Sequence, residues 1–295
     1  MTIKQKKIPG LLKWIGNKQR FAHEIIQYMP SEINTYYEPF IGSGAVLAAL
    51  SDMKYNSGLV PGISYTRAVA SDALTPLVQI FEYVKHNPET LIEYYRENLE
   101  GYNEETKKEM YLEIRERFNK TRNPLDFALL TRTCYSGIIR FRKSDGFMST
   151  PVGPHNPIPA SQFEKRVKQW HELVQDTTFI NDDFRNVMRL ASEGDLVYCD
   201  PPYTHSQTII YGAQSFNIED LWEEIAACKA RGARVMLSIN GKRRSGKEDI
   251  SVEIPEGLFE REAEVNCGTS MINRLQRTGQ VMTDEAVHDK LLLTW

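Results

Sequence analysis

The sequence of 295 residues contains no long hydrophobic run. No segment approaches the roughly 20 apolar residues that cross a bilayer. The start of the chain carries several lysines but only a very short apolar stretch, which is unlike a signal peptide. We therefore expect neither a leader nor a membrane partner.

Closely spaced cysteines are also missing. The four cysteines, Cys134, Cys199, Cys228 and Cys267, lie far apart and form no CxxC pair. This spacing argues against a zinc ribbon and against a dense disulfide framework, and the histidines show no metal-binding spacing either. We expect a protein of the reducing cytoplasm that holds no metal.

Charge is unevenly distributed along the chain. The net charge is −3, yet residues 107–170 contain 13 lysines and arginines against 6 aspartates and glutamates. A basic segment of this kind is what contact with a nucleic-acid phosphate backbone requires. Charge alone is equally compatible with solvated helix faces, so this observation leaves both interpretations open.

Short apolar strands alternate with helices in the first and last thirds of the chain. Strands are predicted over 35–40, 67–71, 178–181, 196–199 and 234–239, and helices over 17–29, 45–50, 74–86, 184–191 and 218–231. This order is typical of an α/β protein with a mostly parallel sheet covered by helices on both faces. Residues 290–295 are predicted to add an edge strand.

Residues 87–176 interrupt this alternation with helices and polar loops. Apolar residues recur at helical spacing at Met110, Ile114 and Phe118, and again at Phe163, Val167, Trp170 and Val174. Ser161 and Glu164 have the spacing of a capping box before the second stripe. We therefore predict one domain formed by 1–86 and 177–295, with 87–176 inserted as a second, helical domain.

Acidic residues and glycines follow several of the predicted strands. They are found in the segment 38–44, which reads Glu-Pro-Phe-Ile-Gly-Ser-Gly, at Asp72, at Asp183 and at Asp200. Ligands of open parallel sheets bind beyond the carboxyl ends of the strands, so these positions should surround one site. The dinucleotide fingerprint is incomplete, because Leu47 stands where its third glycine would be.

The tetrad Asp200-Pro201-Pro202-Tyr203 directly follows a buried strand. Two prolines stiffen the backbone and remove two amide donors. They leave the Asp200 carboxylate and the Pro201 carbonyl as rigid acceptors beside an aromatic ring. Such a pair suits a planar amino group, which has two N–H donors and a ring face to stack.

With these motifs the sequence resembles the Dam-like, S-adenosylmethionine-dependent DNA adenine methyltransferases. The tetrad matches their catalytic motif, and segment 38–44 matches their cofactor loop. Residues 13–18, Lys-Trp-Ile-Gly-Asn-Lys, are similar to their N-terminal signature, and 115–119 and 134–147 to their recognition domain. In that domain Tyr135-Ser136-Gly137 stands where the family usually has Phe-Asn-Gly.

The resemblance implies a Rossmann-like methyltransferase sheet with an inserted helical DNA-recognition domain. It implies an adenine-N6 methyltransferase acting on a flipped base in duplex DNA, beside a restriction endonuclease of the same site or in a phage. The implied catalytic residues are Asp200, Pro201, Pro202 and Tyr203. The implied cofactor residues are Trp14, Lys18, Glu38, Phe40, Gly42, Ser43, Gly44, Asp72, Asp183, Phe184 and Asp200. The predicted DNA contacts are Arg132, Tyr135, Ser136, Arg140, Arg142, Lys143, Asn240 and Lys242.

Three alternatives remain at this point. The same tetrad can orient the exocyclic amine of cytosine, which would give an N4-cytosine methyltransferase. It can also orient an adenine in RNA, which would give an RNA adenine methyltransferase. From a different functional class, the chain could be a DNA-binding regulator whose pocket has no activity.

Overall fold

The computed structural model describes residues 8–56, 62–202, 216–240, 253–269 and 286–295. Within these ranges the chain forms one sheet of seven strands, flanked by helices. The strands are β1 (Glu32–Glu38), β2 (Ser64–Asp72), β3 (Thr177–Asn181), β4 (Leu196–Cys199), β5 (Arg234–Asn240), β6 (Arg261–Thr269) and β7 (Ala286–Leu293).

The helices divide into those of the α/β repeat and those of the insertion. The first group comprises α1 (Ala22–Ile26), α2 (Ala45–Asn56), α3 (Thr75–His86), α8 (Phe184–Met188) and α9 (Ile218–Ala230). The second comprises α4 (Pro88–Asn98), α5 (Lys107–Thr121), α6 (Pro124–Thr133) and α7 (Ala160–Leu173), with a 3-10 turn at Tyr135–Gly137. Of the described helices, none combines the length and apolar character needed to cross a membrane.

The strand order across the sheet is β3-β2-β1-β4-β5-β7-β6. Strands β1 to β5 pair in parallel, and β7 runs antiparallel to both β5 and β6. The chain therefore reverses its direction of strand addition between β1 and β4, which lie side by side. The carboxyl ends of these two strands, at Glu38 and just before Asp200, flank the crevice in which open α/β sheets bind ligands. This confirms the predicted mostly parallel sheet.

Both faces of the sheet are buried. Successive strand residues point to opposite sides, and they belong to two different buried clusters. On β1, Tyr36 packs into the cluster shared with α1, α2, α3 and the insertion, whereas Tyr37 packs against α8 and α9. Tyr198 and Cys199 of β4 divide in the same way. Helices cover both faces, and the strand ends are the part of the sheet left open to a ligand.

Helices α4 to α7 pack against one another and against α2 and α3, and they share the hydrophobic core on one face of the sheet. Trp170 of α7 lies 5.8 Å from the ring of Phe81 on α3, and Phe81 stacks at 5.3 Å on Phe179 of β3. The apolar residues of the insertion belong to the same buried cluster as those of β1 and β2. The segment 87–176 is helical as expected, and its description as a separate domain remains a prediction.

Three local predictions are wrong. The predicted helix 17–29 is regular only over Ala22–Ile26. Helix α7 begins at Ala160 with Pro159 as its N-cap and no side-chain cap, so Ser161 and Glu164 form no capping box; Glu164 instead pairs with Arg96 and Lys168. The last strand lies inside the sheet, because β6, which the sequence pattern did not reveal, pairs with its outer side.

Candidate functional site

A cavity of about 930 Å³ opens at the carboxyl ends of the parallel strands. Its lining combines three parts of the chain: the N-terminal segment around Trp14, the strand ends of the sheet, and the insertion from Phe118 to Gly146. Pro201 and Pro202 line it together with Asp200. The cavity thus brings Asp200, Pro201 and Pro202 into one space with the turn after β1.

The turn after β1 is tight and requires glycine. Gly42 and Gly44 have φ of +47° and +66°, the left-handed region in which side chains are strained. A Cβ at Gly42 would lie 3.2 Å from the indole nitrogen of Trp14. A Cβ at Gly44 would lie 3.2 Å from the Trp170 ring. Gly42 lets the backbone line the cavity, whereas Gly44 accommodates the packing of α7.

Four carboxyl groups at the strand ends form what we call the acidic wall: Glu38, Asp72, Asp183 and Asp200. Burial raises the pKa of Glu38 to about 8, and the pKa values of Asp72 and Asp200 to about 6. Glu38 accepts a hydrogen bond of 2.8 Å from Tyr36 Oη, and Asp72 accepts from the backbone N–H groups of Gly42 and Leu74. A cationic ligand beside the wall would favour the ionised forms that burial disfavours.

Lys18 lies between two acids at the edge of this wall. Its Nζ is 3.0 Å from Asp200 Oδ1 and 3.1 Å from Asp289 Oδ2. The side chains of Lys18 and Asp289 are 9% and 5% exposed. Asp289 belongs to β7, opposite Asn240 of β5, and brings a carboxylate from the end of the chain to the tetrad.

Aromatic rings form the other side of the cleft. Phe40, Phe184 and Phe216 line the cavity, with ring centroids 5.0 to 5.9 Å apart. Asp183 is the N-cap residue of α8. Arg185 Nε lies 2.7 Å from Asp183 Oδ1, and this interaction lowers the pKa of the Asp183 carboxyl. Rings next to an ionised acid suit a flat, polar ring system with N–H donors.

Basic residues of the insertion also line the cavity, and we refer to the sheet lining and the insertion lining as its two ends. Arg122, Arg142 and Lys143, which we call the basic rim, are exposed. Arg142 and Lys143 follow Phe141, which forms an antiparallel bridge with Met148. Arg142 pairs with Asp145 at 2.7 Å and stacks over the ring of Phe147. This hairpin holds two cations at the mouth of the cavity, where an anion would meet them.

Most of the predicted cofactor residues meet at the cavity, and Gly44 is the exception. The predicted DNA contacts are more scattered. Arg140 is exposed and Tyr135 is 37% exposed, and neither they nor Ser136 line the cavity. Arg132 is directed into the protein, where it donates a hydrogen bond of 2.6 Å to the Leu11 carbonyl. Burial lowers the pKa of the Arg132 guanidinium, and the assignment of this residue to DNA remains a prediction.

Two predicted residues, Tyr203 and Lys242, lie outside the described residues. Asn240 ends β5, and only its backbone is described. Sequence reasoning missed Asp289, Arg122 and Phe216, all of which contribute to the site or its rim. Arg122 had one available signal, since it follows the helical pattern that ends at Phe118 and directly precedes Asn123-Pro124.

Residues 14–262 match the family model of the D12 class N6 adenine-specific DNA methyltransferases. The chain is 30% identical over 254 residues to the type II methyltransferase M.MjaIII of Methanocaldococcus jannaschii, covering 79% of this chain and 84% of that protein. It is 27% identical over 249 residues to a DNA adenine methylase of Vibrio cholerae, covering 79% and 82%. It is also 27% identical over 243 residues to the type II methyltransferase M1.LlaDCHI of Lactococcus lactis subsp. cremoris, covering 77% and 79%. The chain belongs to the D12 class N6 adenine-specific DNA methyltransferase family.

Proposed function

We propose that this enzyme transfers a methyl group from S-adenosylmethionine to N6 of an adenine that has been rotated out of duplex DNA. The observation that carries the proposal is that Asp200, Pro201 and Gly42 of the glycine turn line one cavity. We further propose that it acts at a specific site, in a restriction-modification or phage setting, without a stable complex with an endonuclease.

The residues of the acidic wall fit S-adenosylmethionine by their chemistry. Acids at the strand ends suit ribose hydroxyls and a positive sulfonium, and the phenylalanine rings suit an adenine. Asp72 is assigned to the ribose, and Asp183 with Phe184 to the adenine. When bound, the cofactor supplies a methyl group whose carbon is made electrophilic by the positively charged sulfur.

Asp200 and Pro201 are assigned to the target base. The Asp200 carboxylate and the Pro201 carbonyl would accept the two N–H donors of the adenine amino group. These hydrogen bonds orient the nitrogen lone pair away from the ring and toward the methyl carbon. Alignment of two reactants in this way contributes roughly 7 to 11 kcal/mol to the lowering of a barrier.

The target adenine has to leave the stacked duplex to reach this site, because the acidic wall lies inside a cavity. Unstacking costs a few kcal/mol. Cations of the basic rim would offset this cost by contacting phosphates on either side of the extruded base. The +7 charge of residues 107–170 gives the same segment a favourable long-range attraction for DNA.

Nucleoside analysis tests the proposal. Duplex DNA is incubated with the enzyme and methyl-labelled S-adenosylmethionine, digested, and analysed by mass spectrometry. We expect labelled N6-methyladenine and, with an Asp200→Ala variant of unchanged thermal stability, no product. The matched control Glu219→Ala removes an exposed carboxylate of α9 and should methylate at the wild-type rate. Labelled N4-methylcytosine, or product from single-stranded RNA alone, would overturn the proposal.

A further inference from the structure

The ion-pair chain Asp200–Lys18–Asp289 is built from three distant parts of the sequence. Lys18 belongs to the segment before α1, Asp200 follows β4, and Asp289 lies on β7. Both ion-pair distances are close to 3 Å, and all three side chains are largely buried. Buried charges are stable only when they are paired, so this arrangement fixes the ammonium between the two carboxylates.

Strand β7 is what makes the arrangement possible. It is inserted between β5 and β6 and runs antiparallel to β5, so its early residues reach the carboxyl end of the sheet, where the tetrad lies. Asp289 is 3% exposed and sits opposite Asn240 at the end of β5. The position therefore places a carboxylate beneath Lys18 without exposing it to solvent.

The charge balance of the three groups differs from that of a simple pair. Lys18 with Asp200 alone would be neutral, and the ammonium would repel positive charge that develops on an attacking amine. With Asp289 included, the net charge is −1, which favours a nitrogen that becomes cationic as its bond to the methyl carbon forms. Asp289 also holds the flexible lysine on Asp200 Oδ1, so that the carboxylate keeps a fixed orientation.

From this geometry we infer that Asp289 is a positioning residue for methyl transfer, which acts through Lys18 on the orientation and charge of Asp200. The inference rests on the proposed function, because it takes Asp200 as the acceptor of the target amine. Glu38 also influences Asp200 electrostatically, and it stays in place in the variants below.

A double-mutant cycle tests the inference, with the single-turnover methylation rate as the readout. Asp289→Asn should slow the step about 10- to 100-fold, since small misplacements of reacting groups have effects of this size. In a Lys18→Met background the same substitution should change the rate less than threefold, because its route of action is gone. Asp289→Glu, which keeps the charge, should restore part of the rate.

The neighbouring residue provides the matched control. Lys290→Gln, next to Asp289 on β7, removes an ion pair with Glu262 of β6 and should leave the rate unchanged. A wild-type rate for Asp289→Asn, or effects of Asp289→Asn and Lys18→Met that multiply, would overturn the inference. If Asp289→Asn does not fold, the cycle is run with Asp289→Ser, which also removes the charge. Full activity of Asp200→Asn would refute the proposed function itself. If Asp200→Asn is inactive but the effects of Asp289→Asn and Lys18→Met multiply, only the role of Asp289 is refuted.

Discussion

The two ends of the cavity come from different parts of the chain and carry opposite charge. The acidic wall lies on strand ends of the sheet, and burial raises the pKa of three of its four carboxyls. The basic rim lies on the insertion, and its cations are exposed. The difference indicates a division of labour: the sheet provides a rigid, poorly solvated site for chemistry, and the insertion provides attraction for an anionic polymer.

The two ends are nevertheless connected through the N-terminal segment. Three side chains of the insertion donate hydrogen bonds to successive carbonyls of that segment: Trp170 to Pro9, Arg166 to Gly10 and Arg132 to Leu11. The distances are 2.9, 2.7 and 2.6 Å. The segment then continues to Trp14 and Lys18 at the acidic wall. The insertion therefore holds in place the part of the chain that carries Lys18.

Removing two of the three rim cations should have the largest of the expected effects, and it should weaken DNA binding without changing cofactor binding. The double variant Arg142→Ala/Lys143→Ala should weaken DNA binding about 10- to 100-fold, because two phosphate contacts are lost. The slope of log K against log salt should become about two units shallower. Fluorescence anisotropy over a salt series measures both quantities, and calorimetry should find the same affinity for S-adenosylmethionine as in the wild type.

Lys165→Ala/Lys168→Ala is the matched control for this variant. It removes the same charge from α7 of the insertion, at positions that do not line the cavity. An equal loss of DNA affinity in both double variants would mean that the rim contributes only through net charge.

The comparison of the two ends was partly visible in the sequence. The tetrad, the glycine turn and the acids at Asp72 and Asp183 could be predicted to surround one site, because each lies at or just after the end of an apolar strand. Parallel strands bring such positions to one edge of a sheet whatever the details of packing. The basic character of the insertion was equally readable from composition.

What the sequence could not provide depends on packing between distant segments. Strand β6 has alternating acids in Arg261–Thr269 and little apolar signal, so neither it nor the interior position of β7 was predicted. Asp289 was missed for this reason. Arg132 was assigned to DNA, but its guanidinium donates to the carbonyl of Leu11, which only the fold brings near. The helix α5 buries Tyr111 rather than the predicted Met110, a shift of one residue that periodicity does not resolve.

The burial of the acidic wall predicts how activity depends on pH. Burial raises the pKa of Asp200 from 3.8 to about 6, so the carboxylate gains its proton at a higher pH than an exposed aspartate. Since only the ionised form accepts hydrogen bonds through both oxygens, kcat/KM should fall about tenfold per pH unit below pH 6. Rates measured from pH 5 to pH 9 at constant ionic strength check this. A flat profile down to pH 5 would mean that the wall is solvated in the working enzyme.

Asp72→Asn should weaken the acidic wall without affecting the rim. The substitution removes the charge, and one of the two oxygens that accept from Gly42 and Leu74 becomes a donor. We expect about tenfold weaker binding of S-adenosylmethionine, the scale of one charge-assisted hydrogen bond. Calorimetry measures this, and DNA affinity in the anisotropy assay should not change. A loss of DNA affinity in the absence of cofactor would contradict the separation of the two ends.

The smallest expected effect is a proton released when the cofactor binds. Burial raises the pKa of Glu38 to about 8, so at pH 7 this carboxyl is mostly protonated. A sulfonium beside the acidic wall favours ionised carboxyls, and S-adenosylmethionine should therefore displace a fraction of a proton. S-adenosylhomocysteine has an uncharged sulfur and should displace less. Calorimetry in buffers of different ionisation enthalpy counts the protons, and Glu38→Gln should reduce the difference between the two ligands. Equal proton counts for both ligands in the wild type would mean that the acidic wall does not sense the sulfonium charge.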